Sequence, residues 1–265
     1  MQTGQTLPRP ITHLRRQRSL RRGLGTLMVA VGLGLVAWTF VVWRWQDPFT
    51  ALYTRFEQHR LADGYDRRVA EYRPLVVPRR TARESRRAHL VAELNAIRAD
   101  ARRYRVQARI GEPIGRIRVP RLGLNMIVVN GTDHESLKRG PGRDPQTDLP
   151  GEGQLVYVAG HRTTYLAPFA HIEELRRGDP IWLSLPYATF EYRIVRHVIV
   201  PANAVYVLQS HGHELLALQA CHPRFFATHR YIAYAKPVRI IPRGARPLNV
   251  ARLELGPGRV RGNSG

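Results

Sequence analysis

Cys221 ends the run Leu215-Leu216-Ala217-Leu218-Gln219-Ala220-Cys221-His222-Pro223-Arg224, and no other cysteine occurs in the 265-residue chain. A thiol without a disulfide partner is either a nucleophile or a small packed apolar side chain, and free cysteines are more often the latter. Two further residues tip the balance. His161 sits in Val158-Ala159-Gly160-His161-Arg162-Thr163-Thr164-Tyr165, and Arg230 follows the cysteine by nine positions. The thiolate is the reactive form of cysteine, an imidazole can move the proton, and a guanidinium favours the anion and can grip an oxyanion or a peptide backbone. Base, thiol and cation in chain order point to nucleophilic acyl transfer. Arg224 is a second cation in the same loop. His222 and His229 flank that loop, while His171, His211 and His213 lie on other segments. They give no metal-ligand spacing, and no acidic cluster suggests calcium.

Such a site needs a scaffold, and the chain has room for one membrane segment and one domain. Leu24 to Trp43 is uncharged and about as long as a bilayer core is thick, which predicts a single transmembrane helix. A cleaved leader would have a shorter apolar core and a small-x-small site, whereas Arg44-Trp45-Gln46-Asp47-Pro48 follows here. Arg9, Arg15, Arg16, Arg18, Arg21 and Arg22 precede the segment and only Arg44 closely follows it. The positive-inside rule therefore puts the N-terminus in the cytoplasm and the rest outside, in a single-pass cell-membrane protein.

The net charge of +22 would suit a nucleic-acid binder, but an exported domain meets anionic lipid or cell wall instead. No nucleic-acid partner is expected. Only Lys138 and Lys236 are lysines, a bias toward arginine that genomic base composition can account for in part, so charge is a weak functional signal.

Residues 1–23 read as a basic, largely unstructured tail, 24–43 as the anchor, 44–107 as a partly helical stalk, and 244–265 as a disordered extension. Within the stalk, Leu90, Leu94, Ile97, Ala101 and Tyr104 recur at helical spacing, and Pro74 and Pro78 divide it. The second piece could instead pack on the domain that follows. Residues 108–243 change to short β-branched runs, predicting an all-β barrel or sandwich. The expected strands are Gly115 to Val119, Asn125 to Asn130, Leu155 to Ala159, Ile181 to Leu185, Glu191 to Val200, Ala204 to Leu208, Glu214 to Gln219 and Tyr231 to Ile241. Asp133 can cap a helical turn through Leu137, and Pro168 can open another through Leu175, closed by Gly178. Residues 140–153 read as a polar loop.

Further motifs carry a resemblance. Val119-Pro120-Arg121-Leu122-Gly123-Leu124, Leu137-Lys138-Arg139-Gly140-Pro141-Gly142 and Leu149-Pro150-Gly151-Glu152-Gly153 precede the histidine motif with its Pro168-Phe169. Leu175-Arg176-Arg177-Gly178-Asp179 and Cys221-His222-Pro223 with Arg230 complete the series. From about Gly111 to Ile241 the chain resembles the sortases, membrane-anchored cysteine transpeptidases of Gram-positive bacteria, and most closely the class E group of actinobacteria.

The resemblance implies a closed eight-stranded β-barrel with the cysteine ending its seventh strand, the histidine after the fourth and the arginine opening the eighth. It implies no cofactor. Cys221, His161 and Arg230 would be catalytic, and Thr163, Tyr165, Ala220 and His222 would lie at the substrate groove. The substrates would be secreted proteins with a Leu-Pro-x-Thr-Gly or Leu-Ala-x-Thr-Gly sorting signal, cut between Thr and Gly and joined to a peptidoglycan-precursor amine. Where sortases usually read Thr-Leu-x-Thr-Cys, this chain has Ala217 and Ala220, so the hydroxyl before the cysteine is lost. The alternatives are a pilin-polymerising sortase, although no lid segment is evident, and an inactive wall-binding barrel with Cys221 as a packing residue.

Overall fold

The computed structural model describes residues 12–45, 48–75, 81, 83–256 and 259–262. Met1–Gln46 forms one unit and Asp47–Gly265 another. The first unit is helix α1, Thr12–Trp45, of which Arg22–Phe40 is long and apolar enough to cross a membrane, by length and composition. Helix therefore already begins within the segment expected as an unstructured tail. Residues 1–11 and Pro78 lie outside the described residues.

The second unit begins with α2, Pro48–Glu71, whose proline occupies the one helical turn that needs no amide donor. α3, Arg86–Gln107, starts where the Ser85 hydroxyl accepts from Ala88 N at 3.1 Å. Then come β1 (Pro113–Val119), β2 (Leu124–Asn130), α4 (His134–Arg139), β3 (Gly142–Arg143), β4 (Leu155–Ala159), β5 (Pro180–Ser184), β6 (Ala188–Pro201), β7 (Leu215–His222), β8 (His229–Pro242) and β9 (Leu248–Asn249). A separate hairpin of β10 (Leu253–Gly256) and β11 (Arg259–Gly262) ends the chain.

The strands follow the order β6-β5-β1-β2-β3-β4-β7-β8, and β8 pairs back onto β6, closing an eight-stranded barrel with β9 added beside β8. Closure removes the free edges that an open sheet would expose. β7 lies between a parallel partner, β4, and an antiparallel one, β8. Leu216, Leu218 and Ala220 face the barrel interior, whereas Leu215 and Ala217 join a second apolar cluster outside with Tyr157, Ala159, Ile232 and Tyr234. Cover on both faces accounts for the nearly continuous apolar run that leads to the cysteine.

The predicted α4 cap is present, with Asp133 Oδ1 accepting from Ser136 N at 3.0 Å. Two local expectations change. Ala204 to Leu208 is not a strand, because Val205–Leu208 is a 3-10 turn that lays Val207 and Leu208 over the outer cluster. The turn after Pro168 is helical only at Ile172–Glu174.

The region read as a stalk is packed against the barrel. Leu94, Ile97, Ala101 and Tyr104 of α3 enter the main core, and Tyr104 Oη donates to Ile114 O at 3.1 Å. α2 brings Leu61 and Tyr65 onto Ile127 and Val129. Its Gln58 acts as a surrogate strand, accepting from Ile127 N at 2.7 Å and donating to Ile127 O at 3.0 Å.

Residues 140–153 are largely buried rather than a polar surface loop. Arg143 donates to Asn130 Oδ1 at 2.7 Å, and Glu214 accepts from Gly151 N, Gly153 N and Tyr192 Oη at 2.9, 3.2 and 2.7 Å. Full burial still raises the Glu214 carboxyl to about 7. The segment after Gly244, read as a disordered extension, instead buries Leu248, Val250 and Leu255 in the main core. Leu255 O accepts from Glu214 N at 2.7 Å, and Gly256 O accepts from Arg98 at 3.0 Å.

Candidate active site

Strand register brings two of the three sequence candidates together. Cys221 on β7 pairs directly with Arg230 on β8, so their side chains share a face of the sheet. Ala159 on β4 pairs with Gln219, and Gly160 N donates to Gln219 O at 3.0 Å, carrying the ladder one step past the strand end. His161 follows Gly160, two residues beyond the end of β4. The shared face of Cys221 and Arg230 is the outer one, that of Ala217, Ile232 and Tyr234, rather than the barrel interior. Cys221 is a half-buried free thiol.

The turn that carries His161 depends on a close approach. A Cβ on Gly160 would lie 2.6 Å from the Phe169 ring, and Phe169 N donates to His161 O at 3.2 Å. The His161 ring lies 5.0 Å from that of Tyr165. Its Nε2 is buried without a hydrogen-bond partner among the described residues. Burial lowers the His161 pKa, and the nearby His134 adds to the effect. An imidazole so placed stays neutral further into acid, and its Nε2 keeps a hydrogen-bonding capacity that no described residue satisfies.

Tyr165, Leu166 and Ala167 have φ of 53°, 60° and 38°, and Phe225 and Ala227 have 72° and 54°. Left-handed backbone at non-glycine residues thus falls in the two loops that carry the site, a form of strain that persists only when the surroundings enforce it. One enforcing contact comes from α2, where Thr50 Oγ1 accepts from Tyr165 N at 3.1 Å.

Arg230 is half-buried. Its guanidinium donates to its own loop, to Ala227 O at 2.8 Å and His229 O at 3.0 Å. Thr163 and Tyr165 are half-buried in the loop after the base. Ala220 is the exception among the expected groove residues: its methyl is fully buried in the barrel core, facing away from Cys221. A threonine hydroxyl there would also point inward, so only the Ala220 backbone can border the reacting face.

Arg162 had no role in the sequence reading. Only 5% exposed, it donates to Cys221 O at 3.1 Å, meets His222 Nδ1 at 3.0 Å and pairs with Glu173 at 2.7 Å. Because a guanidinium only donates, Nδ1 of His222 is its accepting nitrogen. One side chain therefore joins the base loop to the end of the nucleophile strand. Its place directly after His161 was the available signal, hidden among the many arginines.

A cavity of about 510 Å³ opens at the start of β7 between Glu214, Leu215, Lys236 and Leu255. It lies six residues along the strand from Cys221, roughly 20 Å away, and contains neither the thiol nor His161. The chemistry is assigned to the cysteine end. Among the described residues no group of three or more His, Cys, Asp or Glu could hold a metal ion.

Residues 117–238 match the family model of the sortase domain. Sortase D of Bacillus subtilis (strain 168) is 33% identical over 132 residues, covering 48% of this chain and 65% of that protein. Sortase A of Bacillus anthracis is 27% identical over 109 residues, covering 41% and 51%. The chain thus spans between half and two thirds of these relatives' length. Among solved structures, the SrtF sortase from Corynebacterium diphtheriae superposes with a TM-score of 0.50 at 22% identity, covering 54% of this chain and 93% of that one. That likeness concerns the fold, the same closed barrel. The domain match, the sequence relatives and the barrel agree: residues 117–238 are similar to the sortase domain, and the closed barrel is the sortase fold.

Proposed function

We propose that this chain is a membrane-anchored cysteine transpeptidase of the class E kind, which cuts a Leu-Ala-x-Thr-Gly or Leu-Pro-x-Thr-Gly sorting signal between Thr and Gly. His161 takes the proton of the Cys221 thiol, the resulting thiolate attacks the threonine carbonyl, and the C–N bond breaks as the His161 imidazolium passes that proton to the leaving glycine amine. This leaves a threonyl thioester on Cys221. An acceptor amine, in a peptidoglycan precursor, then attacks the thioester and loses its proton to His161 as the C–S bond breaks. Arg230 leaves the Ala227 and His229 carbonyls to donate to the substrate backbone or the developing oxyanion. Thr163 and Tyr165 line the groove, with His222 beside the nucleophile. Helix α1 anchors the chain with its N-terminus in the cytoplasm, so the domain meets secreted clients outside.

The observation that supports this reading is the register that sets Cys221 opposite Arg230, with the neighbouring strand β4 leading into the His161 loop. The test is intact-mass spectrometry of the full chain with a Leu-Ala-x-Thr-Gly peptide, beside Cys221→Ala. An adduct retaining the threonine side of the peptide, and absent from Cys221→Ala, is expected. No adduct with this or a Leu-Pro-x-Thr-Gly peptide, together with a thiol inert to alkylation until unfolding, would favour the inactive wall-binding barrel.

A further inference from the structure

Helix α2 presents two faces. Thr54, Glu57, Leu61 and Tyr65 turn toward the barrel and are buried. On the other side Phe49 is 72% exposed, Leu52 69%, Tyr53 44% and Phe56 62%. Their spacing of three and four residues makes one continuous apolar stripe. Beyond Phe56 the exposed positions are His59, Arg60, Asp63, Asp66, Arg67, Ala70 and Glu71. The large exposed apolar side chains of α2 thus lie within its first two and a half turns, and beyond them the exposed positions are charged or polar except Ala70.

We propose that these turns lie in the headgroup–acyl boundary of the lipid bilayer and seat the catalytic domain on the membrane surface. The inference rests on the reading of Arg22–Phe40 as the membrane anchor. Chain continuity supports it. Phe49 follows Phe40 by nine residues, at most about 30 Å of extended chain, and α1 stays helical through Trp45, which shortens the reach further. Nothing near a bilayer gains from exposed Phe, Leu and Tyr as the boundary layer itself does.

The gradient along the helix matches depth, with apolar side chains nearest the anchor and ionised ones further out. Charge is complementary too. Arg55 and Arg60 border the stripe and are exposed, and the Arg60 guanidinium lies 5.9 Å over the Phe56 ring. A long cationic side chain over an apolar one can reach lipid phosphate while its stem stays in the apolar layer. The neighbouring acid, Glu57, is buried and paired with Arg60 and Arg139, so it offers little repulsion.

The seating has a consequence for the site. Thr50 lies in the same turns and holds Tyr165 N, and Tyr165 stacks beside His161. The membrane-facing turns therefore border the loop of the base, and the acceptor end of the reaction is held at the lipid surface.

The test uses the full chain in nanodiscs of phosphatidylcholine and phosphatidylglycerol, with p-benzoylphenylalanine replacing one residue at a time. Leu52 and Phe56 probe the stripe, Asp63 and Asp66 the outer turns, and Leu33 the anchor. After irradiation, lipid-mass adducts are expected at Leu33, Leu52 and Phe56, with yields at least fivefold above Asp63 and Asp66. Adducts at Leu33 without adducts at Leu52 and Phe56 would overturn the seating while leaving the anchor intact. Chain-to-chain adducts at Leu52 and Phe56 would replace the bilayer with a second copy of this chain as the occupant. Equal yields at all four α2 positions would refute the gradient. Absence of adducts at Leu33 as well would remove the anchor reading, and the seating with it.

Discussion

Replacing Arg162 by methionine tests whether the nucleophile is held by its neighbour strand or by its own backbone alone. The change keeps bulk and removes a charged donor from Cys221 O and His222 Nδ1, at 3.1 and 3.0 Å. Removing one partner from a buried charged cluster costs about 3–5 kcal/mol. Glu173 is 41% exposed and rehydrates when its partner leaves, so the expected loss of stability is near the lower end, about 3 kcal/mol. The catalytic effect is separate. Releasing the Cys221 carbonyl lets the thiol drift relative to His161, and a misplacement of about 1 Å costs roughly 100-fold. Because Arg162 is 5% exposed and its mapped contacts are all internal, that loss belongs in kcat with KM nearly unchanged. Arg162→Lys keeps the charge, loses the fork and should fall between. Denaturant unfolding gives the first quantity, and the rate of thioester formation followed by intact mass gives the second. Wild-type kcat in a destabilised Arg162→Met would refute the positioning role, and a raised KM at unchanged kcat would show instead that Arg162 touches substrate.

The lowered His161 pKa places the acid limb of thioester hydrolysis below pH 6.5, because the neutral imidazole that activates water persists into acid; a limb at or above 6.5 contradicts this. His134→Gln removes a neighbouring charge and should move the limb upward. Glu214, raised from 4.5 to about 7, contributes stability that is present below pH 4.5 and lost as pH rises through 7. Between those limits the wild type should lose about 3 kcal/mol relative to Glu214→Gln in denaturant titrations, and parallel pH profiles would count against it. Thr50→Val deprives Tyr165 N of its acceptor, costing about 1 kcal/mol and slowing turnover roughly fivefold, whereas an unchanged rate would unlink α2 from the base loop.

Much of the barrel was legible because its strands are local statements. Leu155–Ala159 is an apolar run bounded by Gly153 and Gly160, and it forms β4 as read. Val205–Leu208 has the same composition but is a 3-10 turn, since a run that short carries no decisive period. The packing of α2 and α3 was hidden for a different reason. Several groups that dock them are polar, such as Gln58 and Arg98, and their partners stand 69 and 158 residues away in sequence. Likewise Leu248, Val250 and Leu255 are apolar signals diluted among Arg, Pro and Gly. In the site, Cys221, His161 and Arg230 were visible as reactive types in a rare order. Arg162 was visible only as another arginine, because burial, which gives it a role, depends on the fold.

The burial of the C-terminal segment also sets where the protein can be cut. A fragment ending at Arg243 would expose the core surface that Leu248 and Val250 cover, and would strip the partners from Glu214 N and Arg98. One starting at Ala108 would uncover the seats of Leu94, Ile97, Ala101 and Tyr104. A fragment that keeps all of these contacts runs from Pro48 to Gly256, well beyond the residues 117–238 that match the family model. During synthesis the core can close fully only after residues 248–255 have emerged, so the thiol meets its finished surroundings well after its own strand has been made.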